Sequence, residues 1–167
     1  MNITVSKTAL SLRVVVIDLF ILGLVCLIPS VSHAVAFPLY RLNPMLLCLL
    51  GSMLLVGNRA NAYVLAVLMP TVSMLVTGMP LFSNYVCMVP ELLVTVGLLT
   101  FMERRTNAFV ATVVAAVVGK VVFYSLRALL FAPAVLVGTS VWLQLAVIVV
   151  AAGLFWKATS YENENEN

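Results

Sequence analysis

Between Ala108 and Phe131 the chain reads AFVATVVAAVVGKVVFYSLRALLF, an apolar run broken in its middle by one lysine. The run is long enough to cross a bilayer as a single helix, which takes about 20 residues. Within it Ala111, Ala115 and Gly119 recur every four residues and make a smooth face on which another helix backbone can approach closely. Lys120, Tyr124 and Arg127 recur at helical spacing and make a second, polar face. A lysine at that depth costs about 2.5–3.5 kcal/mol on insertion scales, so it must face a partner or a wet cavity.

The remainder of the chain has the same character. Its 167 residues are 63% hydrophobic and 9% charged, against about 25% charged in a soluble domain. This composition implies an all-α integral membrane protein. The nine Lys and Arg are too few and too scattered to form a nucleic-acid surface. Cys26, Cys48 and Cys87 each lie within an apolar segment and form no CxxC, so they read as small apolar packing residues. With one histidine and no cysteine pair, no metal cluster is legible, and no cofactor is implied.

Six apolar segments follow one another. The first runs from Val14 to about Val35 and holds Asp18 and Pro29. Its basic start, apolar middle and Ser32-His33-Ala34 share the layout of a secretory signal, but Asp18 fits such a signal poorly. Phe37–Pro44 is a proline-bounded connection, and Met45–Gly57 is apolar but short for a span. It is expected to borrow residues from Leu42 onward or to cross with little tilt. Tyr63–Thr77, Val86–Met102, Ala108–Phe131 and Ser140–Trp156 complete the set, with connections at 78–85, at Glu103–Asn107 and at 131–139. One domain, residues 1–157, is expected, followed by a polar Glu/Asn tail, 158–167, that is disordered.

A six-transmembrane-helix bundle puts both termini on one side. That side holds Lys7, Arg13, Arg59, Arg104, Arg105 and Lys157, while the other has only Arg41 and Arg127. The positive-inside rule then makes both termini cytoplasmic, in a multi-pass protein of the cell (inner) membrane. In that orientation Glu91 lies about 7 Å below the outer surface, Arg127 about 4 Å and Lys120 about 15 Å, at 1.5 Å per residue. A Glu91–Lys120 or a Glu91–Arg127 pair follows, either as a structural ion pair or as part of an outward-facing pocket. His33, Tyr40, Arg41, Asn43, Ser83, Asn84 and Tyr85 lie at the same outer end, in short connections that could cap the pocket. Asp18, on the inner half of the first helix, is expected to pair with Arg13 or Arg59. No enzyme is indicated: Gly119-Lys120 lacks the earlier glycine and the Ser/Thr of a P-loop, and neither HExxH nor GxSxG occurs.

Three phrases, HAVAFPLYRLNPM from His33, NRANAYVLAVLMPTVSMLVTGMPLF from Asn58 and VPELLVTVGLL from Val89, resemble the substrate-binding S components of energy-coupling factor (ECF) vitamin transporters. They cover about a third of the chain. The resemblance implies capture of a small water-soluble micronutrient from outside, followed by docking on a transmembrane coupling subunit driven by two ATPase subunits. That family commonly carries Ala-x-x-x-Ala on its first helix; here the first helix offers Gly23 and Cys26, and the small-residue face lies on the fifth. The expected solute-binding residues are Glu91, Lys120, Tyr124, Arg127, Tyr40, Arg41, Asn43 and Asn84. Two cations against one acid lean towards a solute bearing a carboxylate or phosphate. The alternatives are a membrane scaffold subunit of an envelope complex that uses the small-residue face, and a small proton-coupled transporter that uses Asp18 or Glu91.

Overall fold

A computed structural model describes residues 7–37, 39–103, 105–131 and 141–165; the side chains of 7–11, 40, 41, 141 and 162–165 are also outside the description. The described residues form six α-helices: α1 (Lys7–Ala34), α2 (Pro44–Val56), α3 (Arg59–Thr77), α4 (Phe82–Met102), α5 (Ala108–Phe131) and α6 (Val141–Asn165). A 3-10 turn, Leu39–Leu42, precedes α2. All but α2 are long and apolar enough to cross a bilayer. The architecture is therefore that of an all-helical, multi-pass membrane protein. α6 stays helical to Asn165, beyond the Lys157 at which the expected membrane segment ends.

Local chemistry sets the helix ends at the basic end of the bundle. Gly57 ends α2 at φ 65°, a left-handed conformation that costs glycine little, and its N–H donates to Met53 O at 3.1 Å. Asn58 then caps α3, its side chain accepting from the Ala60 N–H at 3.0 Å. Only those two residues separate the helices, so α2 and α3 form a tight antiparallel hairpin. At the opposite end Gly78 closes α3 in the same left-handed way.

The helices are neighbours in the cyclic order α1, α3, α4, α5, α6, α2 and back to α1. Two apolar clusters hold them together. One joins Ile21 and Val25 of α1 to Met45, Leu49, Leu65, Met69, Leu92 and Val96. The other joins Leu46 and Leu50 of α2 to Leu99, Ala111, Ala115, Ile148 and Phe155. α2 contributes to both, so the shortest helix is the most central. α1 by contrast is largely surface, with Leu12, Val16, Leu19, Phe20 and Leu27 all more than half exposed. In a bilayer these side chains meet lipid rather than water, and their exposure carries no penalty.

α2 does not borrow residues from Leu42, as the sequence suggested it would. Asn43 adopts φ 49°, which breaks the helical path, and Pro44 starts the helix at its first position, where the missing N–H costs nothing. The resulting 13 residues span about 20 Å. One end is tied to the basic end of α1, where the Arg13 guanidinium donates to Leu55 O at 3.4 Å. The other end lies beside Glu91, with Asn43 Nδ2 at 3.5 Å from Glu91 Oε1. Glu91 itself is twelve residues, about 18 Å, from Glu103 at the basic end of α4. The two lengths agree: α2 fills only the basic half of the bundle. In the other half the 3-10 turn Leu39–Leu42 is tied back to α1, where the Leu39 N–H donates to Ser32 Oγ at 3.2 Å.

Candidate functional site

The half of the bundle that α2 does not fill is walled by α4 and α5, its most closely packed pair of helices. The small-residue face of α5 makes this contact. Ala111, Ala115, Ala116 and Gly119 are all buried in the bundle. At Gly119 the backbones approach so closely that a Cβ would collide with Thr95 Oγ1 and lie 3.1 Å from Glu91 O. Thr95 cannot easily turn away, because its hydroxyl donates to Glu91 O at 2.8 Å. A glycine at 119 therefore decides how near Lys120 comes to Glu91.

Lys120 Nζ lies 2.7 Å from Glu91 Oε1, with the two side chains 18% and 4% exposed. Of the two pairings open from the sequence, the structure makes Glu91–Lys120. α4 begins at Phe82, four residues earlier than expected, so Glu91 sits about 14 Å from that end instead of about 7 Å. The pair is thus near mid-depth in the bundle. Asn43, at the start of α2, donates to the same carboxylate oxygen, and the positive end of the α2 dipole favours negative charge there. The other oxygen, Glu91 Oε2, is buried with no hydrogen-bond partner among the described residues. One residue earlier, Pro90 has no N–H to offer Val86 O, which leaves a further acceptor in this part of α4.

The helices are antiparallel, so the Glu91–Lys120 contact sets a register. Asn84, seven residues before Glu91, lies level with Arg127, seven after Lys120, about 10 Å further toward the end that α2 does not reach. Both carry buried polar atoms with no partner among the described residues, Asn84 Oδ1 and Arg127 Nε. Arg127 makes no ion pair among them either; its guanidinium lies 6.0 Å from the Phe123 ring centroid, and Lys120 Nζ lies 5.2 Å from the same centroid. Between the two polar layers sit Cys87, fully buried, and Phe123, packed edge-on against Tyr124 at 5.4 Å.

The expected site residues thus divide. Glu91, Lys120 and Asn43 meet directly, and Arg127 and Asn84 form a second layer. Tyr124 turns instead to α6, where its hydroxyl and the Gln144 amide lie 2.7 and 3.0 Å apart through nitrogen and oxygen. Tyr40 and Arg41 place their backbone in the 3-10 turn, and their side chains lie outside the described residues. Asn84, Ser83 and Tyr85 were expected in a connection and stand in the first turn of α4. Tyr85 reaches Thr71 Oγ1 at 3.3 Å, and His33 is exposed at the end of α1. Gln144 was not singled out, although an amide inside Trp142–Leu145 is the same signal that marked Lys120: a polar group in an apolar span.

Asp18 pairs with neither Arg13 nor Arg59. It accepts from Asn61 Nδ2 at 2.8 Å. Arg59 binds Glu103 at 2.8 Å instead, since the two-residue α2–α3 turn brings it to the end of α4. A cleft of about 160 Å³ at this basic end is lined by Met53, Gly57, Arg59, Glu103, Phe155 and Thr159 and does not reach Glu91 or Lys120. Arg104 and the 132–139 connection lie outside the described residues, and among the described residues no group of metal-ligating side chains gathers. No protein-family model, no characterised protein and no solved structure matches the chain.

Proposed function

We propose that this chain is a membrane-embedded binding subunit that captures a small water-soluble solute from outside the cell. The observation that carries the reading is the stack of polar groups between α4 and α5. Glu91 Oε2, Asn84 Oδ1 and Arg127 Nε are buried without partners among the described residues, in the half of the bundle that α2 does not reach. Burying an unsatisfied polar group costs about 1–3 kcal/mol, and more when it is charged. A solute that satisfies such groups recovers that energy as affinity. Helices that start at mid-membrane beside a binding site are a recurring device of transport proteins, and α2 has that form.

In this reading the basic end faces the cytoplasm, all six helices form the membrane domain, and the polar stack opens outward. The resemblance to ECF S components extends the proposal to delivery: the loaded subunit docks on a transmembrane coupling subunit driven by two ATPases. The scaffold alternative loses its surface, because the small-residue face of α5 is used inside the bundle. The proton-coupled alternative must rely on groups that already hold partners, Asp18 with Asn61 and Glu91 with Lys120.

Native mass spectrometry of the gently solubilised protein, expressed in rich medium, tests the proposal. A retained water-soluble molecule, released by the Lys120→Ala and Glu91→Ala variants, is the expected result. An empty protein that carries envelope proteins with it would refute it.

A further inference from the structure

We infer that the solute is an elongated acid read at two points. A carboxylate or phosphate sits against Arg127 and Asn84, and a neutral O–H or N–H about 10 Å away donates to Glu91 Oε2. This inference rests on the solute-binding reading above and names its ligand class.

The chemistry of the unpartnered atoms sets the two ends. Arg127 is a cation without an ion pair among the described residues, and its Nε–H is a buried donor that calls for an acceptor. Guanidinium donors match the fork of a carboxylate or phosphate. Asn84, level with it, offers Oδ1 as an acceptor, which suits a hydroxyl or amide N–H next to the acid. At the deeper end an ionised Glu91 offers Oε2 as an acceptor and has no donor, so what binds there must donate. Lys120 already neutralises Glu91 at 2.7 Å, and a second ammonium would crowd the first. The donor is therefore neutral. The separation follows from seven residues on each helix, about 10 Å at 1.5 Å per residue. Cys87 and Phe123 lie between the two layers, so the middle of the solute is apolar or planar. Glu91 and Cys87 are buried whereas Asn84 and Arg127 are part-exposed, so the solute enters from the Asn84–Arg127 end.

A series of ω-hydroxycarboxylates of increasing chain length serves as the ruler. Each is titrated into the purified protein in mild detergent, and the melting temperature is read, since a ligand that binds only the folded state raises it. The expected result is a concentration-dependent rise that peaks for the member whose ends lie about 10 Å apart. The matched acid ending in methyl should bind about 10- to 150-fold more weakly, the loss expected for one hydrogen bond to a charged group. Arg127→Gln should abolish the length optimum, and Arg127→Lys, which keeps the charge without the Nε–H, should blunt it. Both variants are first checked for a single symmetric elution peak. Using the methyl-ended ligand avoids a Glu91 variant that would strand Lys120.

A stabilisation independent of length, or unchanged in Arg127→Gln, would overturn the inference. So would a ruler series that stabilises nothing, while a water-soluble neutral molecule in the native mass spectrum would leave the solute-binding reading intact. Retention of phospholipid alone, lost in Arg127→Gln, would show that Arg127 serves a headgroup and would also overturn it.

Discussion

Replacing Glu91 with leucine, Lys120 with methionine, and both together separates the structural role of the buried pair from its binding role. The charges are 2.7 Å apart with side chains 4% and 18% exposed. At an effective dielectric of about 20 that separation corresponds to about 6 kcal/mol of attraction, offset by the cost of removing both charges from water. Either single change strands the other charge and should cost about 3–5 kcal/mol, whereas the double change leaves an apolar contact of similar volume and should be nearly neutral. The coupling in the cycle is then large and favourable, of the order of the two single losses added together. Unfolding in mixed micelles, followed by the fluorescence of Trp142 and Trp156, measures all four proteins. Two single changes that each cost under about 1 kcal/mol and simply add would refute the reasoning, because they would mean that the carboxylate and ammonium do not meet in the folded protein. If instead the double variant is stable yet retains no solute, the pair is shown to serve binding rather than assembly.

Three more outcomes follow from particular contacts. Gly119→Ala should destabilise by about 1–3 kcal/mol, because the added methyl meets Thr95 Oγ1, and adding Thr95→Ala should restore part of the loss in the same unfolding assay. Gln144→Leu removes the partner of Tyr124 and should cost about 0.6 kcal/mol, at most about 1.7, with Tyr124→Phe adding little further once Gln144 is gone. Glu103→Gln breaks the Arg59 pair, whose side chains are 39% and 26% exposed, so its effect should stay within about 1 kcal/mol and shrink at high salt.

Much of this architecture was legible in order along the chain. The charged turn Glu103–Asn107 announced the start of α5 at Ala108, because a stretch that cannot hide its charges must leave the bilayer. Lys120 demanded a partner for the same reason, and Glu91 was within reach at a compatible depth. Two errors had one origin. The sequence placed Ser83, Asn84 and Tyr85 in a connection because they are polar, but inside a bundle such groups can continue a helix when they face other helices. Asp18 was assigned to a cation by charge alone, while Asn61 reached it through the α1–α3 packing that hydropathy does not encode.

The sequence by itself determined which segments must be helices in a membrane and that a charge had to be buried, since both follow from the cost of exposing polar groups to hydrocarbon. Tertiary structure decided the rest. It chose Lys120 over Arg127 for Glu91, because the close approach at Gly119 brings that level of α5 against Glu91. It also made α2 a half-length helix starting at mid-depth, because Asn43 and Pro44 stop it there and Glu91 stands beside that end. Distances between helices depend on packing across the bundle, and no pattern along one strand of sequence contains them.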